Sequence, residues 1–187
     1  MVSYLVLLAV LAAERLGELH LSRLNARAAF KRGGVETGQA HYQFMVLLHT
    51  AFLFSCALEV WLLRRPFPGA LGWTALGAAL LSQGLRYWAI ATLGTRWNTR
   101  IISVSGDIPI TTGPYRFVRH PNYVAVGVEM AAVPLIHGAW LTALVFSLAN
   151  AALLLVRIRA EERALGQGYA SAFSRTPRFL PGANSDR

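Results

Sequence analysis

The chain has 187 residues, of which 55% are hydrophobic and 14% charged, with a mean hydropathy of +0.42. Soluble domains average about 25% charged residues, so this composition points to one membrane domain rather than a soluble fold. A net charge of +9 would suit nucleic acid, but the basic residues punctuate apolar segments and form no stripe interleaved with aromatics, which speaks against that partner.

Five apolar stretches follow one another, at residues 2–21, 42–63, 70–93, 123–136 and 139–156. About 20 residues are needed to cross a bilayer core of about 30 Å, and the first three stretches meet that length. The first has no basic segment before it, and Glu14, Arg15 and Glu18 stand where a signal peptide would carry small residues. It therefore reads as a retained membrane helix. The second holds the single cysteine, Cys56, which has no partner for an internal disulfide and reads as a small core or lipid-facing residue. Residues 94–120 combine Gly94, Gly106, Pro109, Gly113 and Pro114 with a β-like run at 101–104. Their Trp97, Ile101, Ile102, Ile108, Tyr115 and Phe117 argue for a packed cap rather than a loose loop. Only His137-Gly138 separates the last two stretches, so they read as a tight helical hairpin, and residues 157–173 carry the fifth helix onward.

The expected fold is thus all-α integral membrane, with five transmembrane helices, the last two a tight helical hairpin, and a cytosolic cap. One domain covers 1–187, with three spans in 1–92 and the cap, hairpin and C-terminal helix in 93–187. Arg23, Arg27, Lys31 and Arg32 follow the first stretch. Arg96, Arg100, Arg116 and Arg119 follow the third, and Arg157, Arg159, Arg163, Arg175, Arg178 and Arg187 follow the fifth. With five spans these segments share one side, which the positive-inside rule makes cytoplasmic; Arg64 and Arg65 dissent. The N-terminus is then outside and the C-terminus inside, with the basic residues meeting anionic membrane lipids.

The run Gly113-Pro114-Tyr115-Arg116-Phe117-Val118-Arg119-His120-Pro121-Asn122-Tyr123 is the most distinctive. A residue before proline leaves the α region, and proline suits the first helical turn. A helix starting at Pro121 or Asn122 would aim its positive end at the cap, beside Arg116 and Arg119, and suit an anion. Interfacial anchoring accounts for the same composition equally well. Beyond the hairpin, Glu161 and Glu162 return to this entrance and suit a cation or ammonium group. The plainer reading there is a solvated helix with Arg157 and Glu161 as an i,i+4 pair. Within the apolar stretches, Glu129 lies about 10 Å from the start of its helix and Arg86 about 10 Å from the end of its own. They match in depth and could pair. With Glu14, Arg15 and Glu18 at a similar level, they outline either a polar chamber or a structural ion-pair network. Glu59 stands apart, nearer the opposite face. Cysteine clusters, His-Glu-x-x-His, phosphate-cradling loops and Gly-x-Ser-x-Gly are all missing, and the histidines are not at ligand spacing, so no catalytic metal is expected.

At Gly113-Pro114-Tyr115, Arg119-His120-Pro121-Asn122-Tyr123 and Glu161-Glu162 the sequence resembles the isoprenylcysteine carboxyl methyltransferase family of integral-membrane enzymes. Residues 93–99 and 157–162 look similar to a bacterial branch that methylates alkylpyrones. The resemblance implies an S-adenosyl-L-methionine-dependent O-methyltransferase in a bacterial inner (plasma) membrane, acting on a lipophilic carboxylate or acidic enol. The acceptor would be a lipophilic small molecule or a prenylated substrate. It implies a cofactor site at Gly113, Pro114, Tyr115, Arg119, His120, Pro121, Asn122, Tyr123, Glu161 and Glu162, with catalytic roles for Arg119, Glu162 and Arg86. The region near His120 and Asn122 would take the cofactor's carboxylate, Tyr115 and Tyr123 its adenine, and Glu161 or Glu162 its cationic part. The acceptor would enter sideways between helices. Two other classes compete: a membrane ene-reductase of the sterol-reductase type, and a non-enzymatic membrane scaffold. Nothing in the sequence sets an oligomeric state.

Overall fold

The structure, a computed structural model, describes residues 1–179; Arg187, counted above in the basic tail, lies outside them. Its elements in order are α1 (Val2–Lys31), β1 (Val35–Thr37), α2 (Gln39–Leu62), α3 (Ala70–Leu93), β2 (Ile101–Ser103), α4 (Pro121–Leu135) and α5 (Trp140–Ala172), with 3-10 turns at Gly94–Arg96 and Gly113–Arg116. The molecule is predominantly helical, as expected.

α3 and α4 form the closest helix pair. Small residues allow it: Ala75 and Ala79 on α3 face Val126, Ala132 and Val133 on α4 in the main core cluster. A Cβ on Gly72 would stand 2.9 Å from the Ile136 carbonyl oxygen, so glycine lets the two backbones approach. Tyr4, Leu8 and Leu11 of α1 and Phe52, Cys56 and Val60 of α2 complete the cluster. Cys56 is thus a core residue.

Two ends are built differently. At one, the Tyr4 hydroxyl donates to the Val133 carbonyl (3.1 Å) and His137 Nδ1 bonds the Arg65 carbonyl (2.9 Å). There Glu59 accepts hydrogen bonds from the Thr142 N–H (2.7 Å) and hydroxyl (2.8 Å) and pairs with Arg65 at 3.1 Å. It caps the first turn of α5 and, as its position in the sequence implied, takes no part in the other charge cluster.

At the opposite end the segments after α1 and α3 close over the bundle. β1 and β2 pair antiparallel, with Glu36 opposite Ile102. α1 runs ten residues beyond its apolar stretch, because Ser22, Asn25, Ala26 and Ala29 bury a helical stripe under this cap. The Asn25 amide donates to the carbonyls of Trp97 (2.7 Å) and Gly94 (3.3 Å), and Ser22 bonds Asn98 (2.7 Å) and the Thr99 N–H (3.0 Å). Arg157 of α5 donates to the Thr99 carbonyl. The three basic segments therefore do converge on one end.

Two helices, α2 and α5, are long and apolar enough to cross a membrane. α1 carries Glu14, Arg15 and Glu18, α3 carries Gln83 and Arg86, and α4 has 15 residues, about 22 Å of helix. Large apolar side chains nonetheless cover the outer surface, among them Phe54, Leu58, Trp73, Leu80, Leu81 and Leu148, each more than half exposed. An outer surface of that kind fits lipid rather than water.

Asn25 is the side chain that fastens the cap to α1. Asn25→Ala strands two carbonyls, and thermal unfolding in detergent should show a loss of about 1–3 kcal/mol, with β1–β2 exchanging amide hydrogens faster than α3.

Candidate functional site

One cavity of about 1280 Å³ runs from the cap down between α1 and α2. Its upper wall is aromatic, its middle polar, and its far end apolar with Leu5, Leu8, Ala9, Leu53 and Ala57.

The upper wall is made by the start of α4 and the end of α5. Helix α4 begins at Pro121, with His120 outside the helical region at φ −125°, as the His-Pro step requires. The His120 ring stacks on Tyr123 at 5.3 Å and lies 6.3 Å from Tyr169, which packs on Phe173 at 4.6 Å. Tyr115 joins Tyr169, Phe173 and Ala89 in a second core cluster. Burial, then the nearby Glu161 carboxylate, pushes the phenols of Tyr115 and Tyr169 upward, so both present neutral rings.

Seven of the ten residues of the sequence-derived cofactor set line the cavity: Tyr115, Arg119, His120, Pro121, Asn122, Tyr123 and Glu161. Gly113, Pro114 and Glu162 do not. Gly113 has φ +58°, and a Cβ there would meet the Thr92 hydroxyl at 2.4 Å. It lets the 3-10 turn press on α3, while buried Pro114 stiffens that turn so that Tyr115 points inward. Arg86 lines the cavity lower down.

Glu162 works behind the wall. Its carboxylate is 3.1 Å from His120 Nε2 and accepts two hydrogen bonds from Arg178, at 2.7 and 3.0 Å. The chain after α5 returns along the segment before α4. The Arg119 N–H donates to the Pro177 carbonyl (2.9 Å), the His120 N–H to the Arg178 carbonyl (3.3 Å), and Arg119 Nε to the Thr176 carbonyl (2.5 Å). Thr176, Arg178, Tyr169 and Phe173 are absent from the sequence-derived set. The returning contacts are largely backbone bonds, which leave no residue pattern to read.

Arg157 and Glu161 do not form the direct i,i+4 pair of the plainer reading. Tyr123 stands between them, accepting from Arg157 Nε (2.8 Å) and donating to the Glu161 carboxylate. A chain of bonds thus runs from the cap carbonyl of Thr99 through Arg157 and Tyr123 to Glu161.

The middle of the cavity holds the charges matched by depth. Arg86 pairs with Glu129 at 2.5 Å and Arg15 with Glu18 at 2.7 Å; the crossed pairs Arg86–Glu18 and Arg15–Glu129 are 3.6 Å each. Glu14, outside the cavity lining, is bonded by Gln83 (2.5 Å) and Tyr87 and lies 4.0 Å from Arg15. Among the described residues, nine buried side-chain atoms have no hydrogen-bond partner, and six of them belong to cavity-lining residues: Arg15, Glu18, Arg86, Asn122, Asn150 and Arg157. Buried polar atoms are ordinarily paired, and most of the unpaired ones here sit on residues around this cavity.

These features define a membrane protein with a cavity suited to a molecule that is part charged, part aromatic and part lipid-like. The chain belongs to the isoprenylcysteine carboxyl methyltransferase (ICMT) family, whose model matches residues 74–167. It is 40% identical over 161 residues to "Uncharacterized protein YpbQ" of Bacillus subtilis (strain 168), covering 86% of this chain and 95% of that one. Two more distant relatives are the "Nickel-cobalt-cadmium resistance protein NccN" of Alcaligenes xylosoxydans xylosoxydans (32% identity) and the "Cobalt-zinc-cadmium resistance protein CzcN" of Cupriavidus metallidurans (30%). Each match covers 58% of this chain and about half of the relative, 53% and 52%. The family match takes in α4 and most of α5 but neither α1 nor α2.

Burial raises the Glu162 carboxyl, but hydrogen bonds from Arg178 and His120 outweigh it and hold the group below its ordinary value of 4.5. A carboxyl depressed on folding stabilises fully above its unfolded value, and that contribution is lost as pH falls through the folded value. Acidification below pH about 4.5 should therefore release the Thr176–Arg178 return before the helices melt. Proteolysis of the tail against pH should show this release, and Arg178→Ala should move it toward neutral pH.

Proposed function

We propose that the protein is an S-adenosyl-L-methionine-dependent O-methyltransferase acting on a lipophilic carboxylate or acidic enol at the membrane. The observation that carries this reading is the single cavity that joins an aromatic, polar cap to an apolar groove between α1 and α2. A water-soluble cofactor and a lipid-borne acceptor need such a space to meet.

The residues at the cap end fit the cofactor. Asn122, Asn150 and Arg157 carry buried polar atoms without partners, which suit the carboxylate and ammonium of its methionine part. The rings of His120, Tyr115, Tyr169 and Phe173 suit a planar base, and Glu161 suits a cationic neighbour. Bound there, S-adenosyl-L-methionine supplies an electrophilic methyl group. Glu162 and Arg178 hold His120 and close the tail over the site. Arg119 and Arg86 face the cavity from its two levels and would orient the acceptor. Alignment and exclusion of water by these walls can contribute up to about 7–11 kcal/mol, which leaves little need for further catalytic groups when the acceptor is already ionised.

In this reading the chain is one domain with five spans in a bacterial inner membrane. The capped end is cytoplasmic, and the acceptor enters sideways between α1 and α2. The acceptor is a lipophilic small molecule of alkylpyrone type or a prenylated substrate.

Calorimetry on the purified protein tests the assignment. S-adenosyl-L-methionine should bind, and His120→Ala and Glu161→Gln should each weaken it about tenfold, or about 1.4 kcal/mol. Binding of a reduced nicotinamide cofactor instead would favour the ene-reductase. Binding of neither would favour a scaffold. Lipid extracts incubated with methyl-labelled cofactor should yield a labelled small lipid rather than a labelled protein.

A further inference from the structure

A second hollow lies outside the cavity, on the outer surface between α2 and α5, the two helices long and apolar enough to cross a membrane. It is an open groove of about 490 Å³. The small side chains of Ala51, Ala149 and Ala152 leave its space, and Phe44, Leu47 and Val156 border it, 66%, 65% and 54% exposed. From Ala149 to Val156 it follows about 10 Å of α5, roughly two thirds of one leaflet of a bilayer core about 30 Å thick. Leu153 lines both this groove and the cavity, so whatever fills the groove packs against the cavity wall.

Two arginines continue the groove toward the capped end. Arg159 follows Ala152 by seven residues and Val156 by three, and Arg163 follows Val156 by seven, so both lie on the groove's face of α5. Both are exposed. Arg157, two residues before Arg159, turns into the cavity instead and is bonded to Tyr123 and the Thr99 carbonyl. The carboxylates of this end are engaged by other groups. Glu36 pairs with Arg100 (3.3 Å), Asp107 with Arg32 (3.2 Å), and Glu162 with His120 (3.1 Å) and Arg178 (2.7 Å), while Glu161 takes the Tyr123 hydroxyl. Among the described residues, neither Arg159 nor Arg163 forms an ion pair. A second copy of the chain is a poor occupant, because a two-fold axis along the bilayer normal would set these arginines against their own counterparts.

We propose that this groove is a binding site for an anionic phospholipid, with one acyl chain between α2 and α5 and its headgroup against Arg159 and Arg163. A flexible chain covers the exposed apolar walls and fills the space over the alanines. The guanidiniums take the phosphate oxygens, which match their planar fork. A zwitterionic lipid offers the same phosphate but brings its own cation, so a headgroup of net negative charge is preferred. The bound chain braces Leu153 from the lipid side and so supports the cavity wall. The site stands independently of the reaction proposed for the cavity.

The test uses the purified full chain in phosphatidylcholine nanodiscs, with and without phosphatidylglycerol of the same acyl chains. Phosphatidylglycerol should raise the thermal unfolding midpoint of wild type by about 4–8 °C. The double variant Arg159→Gln/Arg163→Gln should lose most of that rise. Ala152→Phe, which fills the groove and leaves both charges in place, should lose it as well. Native mass spectrometry of wild type released from the mixed lipids should show phosphatidylglycerol retained about tenfold over phosphatidylcholine, and the double variant should retain the two alike. Glycerol 3-phosphate added to phosphatidylcholine nanodiscs should leave the midpoint unmoved. The proposal is overturned if the two lipids stabilise wild type equally, or if the double variant or a folded Ala152→Phe keeps the full rise. It is overturned equally if the soluble phosphate reproduces the rise, or if the released protein is a dimer that retains no lipid. Should Ala152→Phe fail to fold, the lipid count on wild type and on the arginine double variant still decides.

Discussion

Two guanidiniums and two carboxylates buried among apolar helices cannot be left unpaired, and that constraint organises the molecule. Removing one partner of a buried ion pair commonly costs about 3–5 kcal/mol, because the other charge is stranded. Arg86 on α3, Glu129 on α4 and the Arg15–Glu18 pair on α1 therefore fix three helices in relative depth and rotation. Hydrophobic burial alone would not do so, since apolar helices slide past one another at little cost within lipid. The cluster also borders the groove between α1 and α2. Its polar side faces the space that the small residues Ala9, Ala12 and Ala57 leave open.

With the helices fixed, the cap follows from backbone accounting. A segment such as 94–120, crossing the end of the bundle, has carbonyls and N–H groups that need partners. Asn25, Ser22 and Arg157 supply them from helices on opposite sides, and β1 supplies a strand edge. Because Arg157 also holds Tyr123, the cap and the cavity wall share one hydrogen-bond chain. Movement of the cap is therefore coupled to the position of Glu161. The tail closes the remaining side by pairing with the backbone ahead of α4, locked by Arg178 on Glu162.

The parts legible in the sequence were those written in side-chain type and spacing. α3 runs over residues 70–93 as its apolar stretch does, α4 starts at the His-Pro step, and Arg86 meets Glu129 because equal depth in neighbouring helices leaves them few other partners. β2 was visible as Ile101-Ile102, while its partner Val35–Thr37 is three residues long and carries no periodicity. α1 outran its apolar stretch because Ser22 and Asn25 are polar residues buried by hydrogen bonds rather than by hydrophobicity. In the site, the aromatic and charged residues before and within α4 were identifiable. Gly113, Pro114 and Glu162 were identifiable as parts of a pattern, but their positions as supports behind the wall required the fold. The tail's return was invisible, since Pro177 contributes only a carbonyl.

In the proposed reading, the division between wall and support bears on how such a site could change its acceptor without losing its cofactor. The aromatic and Asn–Arg end is built from α4, α5 and the cap, and within it His120, Tyr123 and Glu161 are tied to one another or to Glu162 and Arg178. A substitution there disturbs several bonds at once. The groove end is built from α1 and α2, which reach that network only through the cap at Thr99 and lie outside the family match. There an exchange of Ala9, Ala12 or Ala57 for a larger side chain alters only the space open to an apolar tail. Charge and shape are thus controlled by separate residues on α1: Arg15 and Glu18 carry charge at the middle of the cavity, and Ala9 and Ala12, one to two turns away, border its apolar part.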